Sequence, residues 1–310
     1  MNLPERLRAA YAECRKISRR HYENFPTASC LVGRDKRDAL AAIYSFARAA
    51  DDVADEPGQG TPEQRLAALA RWRERLNECY SKPLEEIPHP VFLALGDTVR
   101  RYGLTQANLD NLLRAFEQDV RVSRHPDFES LLSYCTCSAN PVGRLVLELF
   151  DYRDPALFAL SDHICTALQL ANFWQDVAVD LSRDRIYLPL QDLAQFGLAA
   201  PDLQDLMNSG REVSDDRWRR LMAFQVRRTA AIFERGKALP ERVGRDLRRQ
   251  LRLTWLAGTS ILERIESVDY DVFLRRPKLR ASDFLRLYLR SWRAPASTAQ
   301  PMQAAEGGKQ

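Results

Sequence analysis

Residues 43–56 read IYSFARAADDVADE and residues 168–180 read LQLANFWQDVAVD, and these two acidic stretches are the strongest guide to the architecture. In each stretch the polar residues recur at steps of three and four, which places them on one face of a helix. The first face carries Tyr44, Arg48, Asp51, Asp52 and Asp55, and the second carries Gln169, Asn172, Asp176 and Asp180. Most intervening residues are apolar, so each helix is otherwise suited to burial.

The carboxylates on these two faces indicate a cation site. Asp51 and Asp55 repel each other across one helical turn, as do Asp176 and Asp180. One such pair is more often a solvated helix face, but two pairs within apolar helices favour metal binding. Hard oxygen ligands suit Mg²⁺, which keeps several waters and also accepts phosphate oxygens. We therefore expect Mg²⁺ ions to hold a diphosphate between the two helices, with these predicted ligands: Asp51, Asp52, Asp55, Asn172, Asp176 and Asp180.

The rest of the chain predicts an all-α fold. Strand-like alternation is scarce, and the segments with helical apolar periodicity are 3–21, 35–54, 62–79, 104–122, 127–150, 154–181, 214–238 and 241–267. We see no linker that would divide the chain, so residues 1–293 are expected to form one helical domain around a central cavity. Residues 294–310 lack apolar periodicity and are expected to be disordered. Phe25, Phe46, Phe173 and Trp174 are candidates to line a cavity suited to a long hydrocarbon and a carbocation.

Composition and charge bear on location and partners. The charged N-terminus has no apolar core typical of a secretory signal, and the charge-free runs are too short to span a bilayer. The six cysteines have no framework spacing, which favours reduced thiols and a cytoplasmic location. Residues 211–293 contain 21 Lys and Arg against 11 Asp and Glu. We interpret this excess as a solvated arginine face with weak peripheral contact to the inner face of an anionic membrane, and we expect no nucleic-acid partner.

Four motifs carry a resemblance that covers residues 10–282: IYSFARAADDVADE, YCTCSANPVG (Tyr134 to Gly143), LQLANFWQDVAVDLSRDRIYLP and ILERIESVDYDVFLRR. They resemble those of the squalene/phytoene synthase family, the enzymes that join two prenyl diphosphates head to head. The resemblance implies an isoprenoid synthase helical bundle and a magnesium-dependent reaction. Within the family, ENFPTAS (Glu23 to Ser29), SANPVG and NFWQDVAVD are most similar to the bacterial hydroxysqualene synthases of hopanoid biosynthesis.

The resemblance also implies roles for individual residues. Asp51, Asp52, Asp55, Asp176 and Asp180 would hold the Mg²⁺–diphosphate, and Asp51, Asp55, Asp176 and Asp180 would act in catalysis together with Tyr134, which points into the cavity in this family. The implied substrate-binding residues are His21, Phe25, Tyr44, Arg48, Gln169, Asn172, Arg185, Tyr187 and Arg275. Two segments differ from the family pattern. Ser138-Ala139-Asn140-Pro141 replaces a glycine-containing stretch, and its proline should kink the helix. Gly258 lies close to the place where the family pattern has a tyrosine.

The subfamily resemblance implies that presqualene diphosphate and water give hydroxysqualene and diphosphate. NADPH is not expected, because no glycine-rich dinucleotide motif follows a strand. The alternatives are a presqualene diphosphate, squalene or phytoene synthase that uses farnesyl diphosphate or another prenyl diphosphate, a terpene cyclase, and a non-catalytic helical lipid-binding scaffold. A head-to-tail elongase is disfavoured because the second motif is not of the DDxxD form, and a di-iron bundle lacks its Glu-x-x-His pairs. Contact with neighbouring pathway enzymes is a further expectation.

Overall fold

The computed structural model describes residues 2–20, 32–55 and 60–292, and almost every element in them is helical. The helices are α1 (Leu3–Arg20), α2 (Arg34–Asp55), α3 (Pro62–Ser81), α4 (Pro90–Tyr102), α5 (Gln106–Arg121), α6 (Phe128–Ser138), α7 (Asn140–Leu149), α8 (Pro155–Gln175), α9 (Val177–Ser182), α10 (Leu190–Gln195), α11 (Ala200–Asn208), α12 (Asp216–Gly236), α13 (Arg245–Ser267) and α14 (Ala281–Arg290). The described ranges contain no β-strand, only an isolated bridge between Arg124 and Ile186. The predicted all-α class is therefore confirmed.

Two groups of helices share one apolar core. Helices α1 to α5 pack against one another, while α8 packs against α12 and α13. Helices α6 and α7 join the groups, because each contacts both α5 and α8. The largest buried side chains come from both groups and include Phe46, Phe92, Trp174, Trp218 and Phe233. No helix in the described ranges has both the length and the apolar character needed to cross a bilayer.

Two segments predicted as continuous helices are interrupted. The segment 127–150 breaks at Ala139, between α6 and α7, and Pro141 lies in the first turn of α7. This confirms the expected proline effect, because proline cannot donate the backbone hydrogen bond of a helix interior but is accepted in the first turn. The segment 154–181 breaks at Asp176, between α8 and α9.

Four helices were not predicted: α4, α10, α11 and α14. Ile87-Pro88-His89-Pro90 was interpreted only as a helix stop, but Pro90 is also the first residue of α4. A proline at the first helical position has a suitable φ and gives up a hydrogen bond that would be unmade anyway. Helices α10, α11 and α14 have at most ten residues each, which is shorter than the window of about 11–18 residues over which helical periodicity is read.

Candidate active site

The first acidic face lies at the C-terminal end of α2. Ala50 and Ala54 are fully buried on the opposite side of this helix, which turns the acidic side chains away from the core. Arg48 lies between two carboxylates, with Nη1 3.1 Å from Asp51 Oδ2 and Nη2 2.5 Å from Asp52 Oδ1. Arg48, predicted as a substrate-binding residue, is therefore already paired with both of these carboxylates. Asp55 is the last residue of α2, and its side chain lies outside the described part.

The charges of this face also affect Tyr44. Burial raises the pKa of the Tyr44 hydroxyl, and the negative charges of Asp51 and Asp52 raise it further. Burial alone would lower the pKa of Arg48, but the two carboxylates reverse that effect and raise it. Tyr44 therefore stays protonated and Arg48 stays charged at neutral pH, so the face presents a phenol, a guanidinium and carboxylates together.

The second acidic face follows the end of α8 and passes through the break at Asp176. Asp176 has φ −106° and ψ 15°, outside the regular helix, but the chain keeps its helical course. The Asp176 N–H donates to the Asn172 carbonyl at 2.9 Å, and the Asp180 N–H donates to the Asp176 carbonyl at 2.9 Å. Gln169 is half-buried and Asn172 is exposed. The four predicted residues therefore remain in one row despite the interruption.

An arginine from the loop after α13 reaches this second face. Arg276 makes two hydrogen bonds to Asp176, with Nε 2.6 Å from Oδ1 and Nη2 3.0 Å from Oδ2. The Gln175 amide donates to the Pro277 carbonyl, so two consecutive residues of each segment are joined. The predicted Arg275 lies elsewhere and forms an exposed ion pair with Glu212 at 2.9 Å. The structure thus brings Arg276, and not Arg275, to the acidic face.

Aromatic side chains stand beside the second face. The rings of Phe173 and Tyr187 are stacked, with centroids 3.8 Å apart and planes 8° from parallel. Tyr134 lies within 6.2 Å of Phe173 and 6.0 Å of Tyr187, and His125 lies 5.6 Å from Tyr134. A small cavity of about 10 Å³ is lined by Phe173, Asp180, Arg185 and Tyr187, among others. Four predicted residues, Tyr134, Phe173, Arg185 and Tyr187, therefore lie on one wall beside Asp180 of α9.

Tyr134 is held in this wall by a buried hydrogen bond. Its hydroxyl donates to Asp119 Oδ2 at 3.0 Å, across the contact between α6 and α5. Burial, followed by the negative charge of Asp119, raises the pKa of the Tyr134 hydroxyl well above its ordinary value. Tyr134 is therefore a neutral phenol whose proton is directed to Asp119 and whose oxygen can still accept a hydrogen bond.

The loop that carries Arg185 and Tyr187 is fixed by the loop after α5. The Ile186 N–H donates to the Ser123 carbonyl at 2.9 Å, and the Leu190 N–H donates to the His125 carbonyl at 2.9 Å. Arg124 also pairs with the Asp184 carboxylate at 2.5 Å. These long-range bonds explain how a loop without regular structure holds Tyr187 against Phe173.

Two predicted cavity residues lie in the core instead. Phe46 is fully buried and packs against Trp72 and Phe92, with centroids 6.2 and 6.0 Å away. Trp174 is fully buried and donates its Nε1–H to Thr229 Oγ1 on α12 at 2.8 Å. Of the four aromatic candidates, Phe173 is therefore the one that the described residues place beside Tyr134. Phe25 and His21 lie outside the described residues.

The break between α6 and α7 places a polar side chain in the interior. Asn140 is 6 % exposed, and its Oδ1 accepts a hydrogen bond from Thr166 Oγ1 on α8 at 2.8 Å. Within the described residues its Nδ2 group makes no hydrogen bond. The SANP sequence thus provides a buried amide six residues after Tyr134.

The acidic residues fit a divalent cation in their donor chemistry. Within residues 2–20, 32–55 and 60–292, no three Asp, Glu, His or Cys side chains are gathered closely enough to enclose a metal ion alone. Mg²⁺ commonly takes only one or two carboxylates and completes its shell with water and substrate phosphates. Asp51 with Asp52, and Asp176 with Asp180, therefore fit as two half-sites that a diphosphate would complete.

Sequence reasoning missed Asp119, His125 and Arg276. No local pattern marks Asp119 or His125, because their contacts with Tyr134 depend on how α5, α6 and the following loop pack. Arg275 and Arg276 are adjacent and chemically alike, so only the course of the loop distinguishes them. The negative charge of the second face was a signal for an arginine, but it did not specify which one.

A comparison with known proteins places these features in a family. The family model for squalene/phytoene synthase matches residues 18–283. The 15-cis-phytoene synthase of Synechococcus elongatus is 33% identical over 284 residues, covering 87% of this chain and 88% of the relative. The hydroxysqualene synthase of Zymomonas mobilis is 38% identical over 184 residues, covering 58% of this chain and 59% of the relative.

A solved structure shares both sequence and fold with this chain. The crystal structure of squalene synthase HpnC from Alicyclobacillus acidocaldarius has a TM-score of 0.78 and 37% identity, covering 86% of this chain and 96% of the solved one. The family match includes α2, α6 to α9 and the Arg276 loop, which are the parts that carry the candidate site. The chain therefore belongs to the squalene/phytoene synthase family, whose enzymes condense prenyl diphosphates head to head.

Proposed function

We propose that the protein converts presqualene diphosphate and water to hydroxysqualene and diphosphate, as an enzyme of squalene and hopanoid biosynthesis. In this reaction a carbon–oxygen bond to diphosphate breaks, a carbon–oxygen bond to water forms, and the water loses one proton. We also propose that the reaction needs Mg²⁺ but not NADPH, and that it takes place in the cytoplasm.

The observation that carries this proposal is the similarity to a hydroxysqualene synthase and to a bacterial squalene synthase. Identity is 37% to squalene synthase HpnC and 38% to the Zymomonas hydroxysqualene synthase, against 33% to the Synechococcus phytoene synthase. The buried Asn140, six residues after Tyr134 in the chain, supports it further, because a carbocation cavity that admits water has a use for a polar amide.

The site residues have distinct roles in this proposal. Asp51, Asp52, Asp176 and Asp180 would hold the cation–diphosphate, and bound Mg²⁺ would supply positive charge to offset the negative charge that develops on the leaving group. Arg48 and Arg276 hold the carboxylates and offer guanidinium groups to phosphate oxygens.

The aromatic residues act on the organic part of the substrate. Phe173 and Tyr187 present ring faces to the cation and exclude bulk water. The oxygen of Tyr134 accepts a hydrogen bond from the attacking water, since its own proton is directed to Asp119.

A second candidate is the head-to-head condensation itself, which would form presqualene diphosphate, squalene or phytoene. It is favoured by a different observation: the phytoene synthase match extends over 88% of that relative, whereas the hydroxysqualene synthase match extends over 59%. The two candidates use the same acidic faces and differ in the substrate that is consumed.

Product analysis separates the two candidates. Purified protein with Mg²⁺ is given farnesyl diphosphate or presqualene diphosphate separately, each with and without NADPH, and the products are identified by mass spectrometry. We expect hydroxysqualene from presqualene diphosphate without NADPH. Consumption of farnesyl diphosphate that stops at presqualene diphosphate, with no use of added presqualene diphosphate, would establish the second candidate instead.

A further inference from the structure

The C-terminal end of the described chain exposes a cluster of large apolar side chains. Leu285 is 63 % exposed, Leu289 is 60 % exposed and Trp292 is 63 % exposed, whereas the other exposed large apolar residues in the described ranges reach at most 49 %. The three residues follow at intervals of four and three, so they lie on one side of α14 and its end. We call them the C-terminal patch.

The patch is held in an outward orientation. Leu287, on the opposite side of α14, is 3 % exposed and packs into the core. Asp283 at the start of α14 pairs with Arg264 of α13 at 2.5 Å. The exposure of Leu285 and Leu289 therefore follows from how α14 is attached and not from a loosely placed helix.

Cationic groups surround the patch. The Arg249 guanidinium lies 3.9 Å from the ring centroids of both Tyr288 and Trp292. Arg286 and Arg290 are exposed and make no hydrogen bond or ion pair within the described residues. An amphipathic helix with Leu and Trp on one side and arginines beside them is typical of proteins that lie in the interface of an anionic membrane.

We propose that the C-terminal patch inserts into the headgroup region of an anionic lipid bilayer, with α14 parallel to the surface. The charges argue against a second copy of the chain as the occupant. A two-fold contact through this patch would bring Arg286 and Arg290 close to their own equivalents, while the one acidic residue of α14, Asp283, is already paired. Residues 293–310 contain a single large aliphatic side chain, Met302, and so offer little apolar area to cover the patch.

Trp292 provides a direct reporter for this proposal. Of the five tryptophans, Trp174, Trp218 and Trp255 are buried and Trp72 is partly buried, whereas Trp292 is exposed. Full-length protein is mixed with vesicles of 30 mol% phosphatidylglycerol in phosphatidylcholine, some carrying brominated acyl chains. We expect a blue shift of the emission and quenching by the bromines, both absent in Trp292→Phe. Binding should weaken as salt rises and should be much weaker for pure phosphatidylcholine.

Matched variants test the two parts of the patch. Leu285→Ser/Leu289→Ser should weaken vesicle binding about tenfold or more, because it removes the inserted apolar area. Arg286→Gln/Arg290→Gln should weaken it about tenfold or more and reduce its salt dependence. Val122→Ser, which changes an exposed apolar residue at the end of α5, should bind like the unchanged protein.

Three results would overturn the proposal. The first is an absence of quenching by brominated lipid at any salt concentration. The second is equal binding to neutral and anionic vesicles. The third is a Trp292 emission that is already blue-shifted without lipid: if the shift depends on protein concentration a second copy covers the patch, and if it does not, the chain covers its own patch. These measurements do not depend on which reaction the enzyme catalyses.

Discussion

Arg276 and Arg48 each hold carboxylates that we assign to cation binding. Arg276 donates two hydrogen bonds to the Asp176 carboxylate, and Arg48 lies between Asp51 and Asp52. Without a cation these guanidinium groups offset the repulsion within each acidic pair. A Mg²⁺ ion held by Asp176 would compete with Arg276 for the same carboxylate oxygens. The Arg276 guanidinium would then be available to a phosphate oxygen.

Substitution of Arg276 tests this competition. Arg276→Gln should bind Mg²⁺ about two- to fivefold more tightly in the absence of substrate, which corresponds to removing a partly exposed ion pair. Isothermal titration calorimetry of the protein with MgCl₂ measures this affinity. The matched control is Arg275→Gln, which breaks only the exposed pair with Glu212 and should leave Mg²⁺ affinity unchanged. Equal or weaker binding by Arg276→Gln would show that the arginine does not compete with the metal.

Tyr134 is the second residue whose role can be isolated. Its raised pKa keeps it protonated through neutral and mildly alkaline pH, so it acts by hydrogen bonding and not as a base. Tyr134→Phe should lower turnover at least about tenfold or change the product ratio, because it removes the oxygen that we propose orients the attacking water. Gas chromatography of the products measures both effects.

Tyr80→Phe is the control for Tyr134→Phe. The Tyr80 hydroxyl also makes a hydrogen bond in the interior, to the Leu104 carbonyl at 3.1 Å, but it lies outside the site. It should keep normal turnover and products. If Tyr134→Phe behaved like Tyr80→Phe, Tyr134 would have no part in the chemistry.

At the level of helices, close packing explains why Gly258 occupies its position on α13. A Cβ atom at this position would lie 2.5 Å from Phe233 Cζ and 2.6 Å from Leu168 Cδ2. Phe233 is fully buried, so it has little room to move. The tyrosine expected near this place therefore has no space at residue 258, and α13 instead approaches α8 and α12 closely.

The stability of a Gly258 variant measures this close approach. Gly258→Ala should lower the free energy of unfolding by about 1–3 kcal/mol, because the added methyl group overpacks the core. Urea denaturation followed by circular dichroism is the suitable measurement. Gly33→Ala serves as the control, since a Cβ atom there meets no atom of the described residues within 4 Å. If Gly258→Ala were as stable as Gly33→Ala, α13 could move away from α8 and α12 without lowering the free energy of unfolding.

The longer helices and the residues of both acidic faces could be predicted from the sequence, because apolar periodicity is a local signal. The break at Asp176 could not be predicted, since LQLANFWQDVAVD keeps a helical pattern across it. The contacts of Tyr134 with Asp119 and of Arg276 with Asp176 could not be predicted either, because they join elements that are distant in sequence. The same holds for Phe46 and Trp174, whose aromatic character fits a cavity wall and a core equally well.

For the molecule as a whole, the two acidic faces come from different groups of helices and should both be needed for diphosphate loss. Asp51→Asn and Asp176→Asn should each reduce turnover at least about a hundredfold, the scale of losing a transition-state electrostatic contact. EDTA should abolish activity. Steady-state assays with presqualene diphosphate give these values. Asp162→Asn, on α8 but paired with Arg144 at 2.5 Å, is the control that should retain activity. Near-normal turnover of both variants would show that the two acidic faces do not form the catalytic site.

The most direct test of the proposed reaction follows the oxygen atom of the product. The enzyme is incubated with presqualene diphosphate and Mg²⁺ in ¹⁸O-labelled water without NADPH, and the product is analysed by mass spectrometry. Because the rearranged cation meets water and no hydride donor, we predict hydroxysqualene that carries one ¹⁸O atom. Unlabelled alcohol, a hydrocarbon product, or unconsumed presqualene diphosphate would contradict the account.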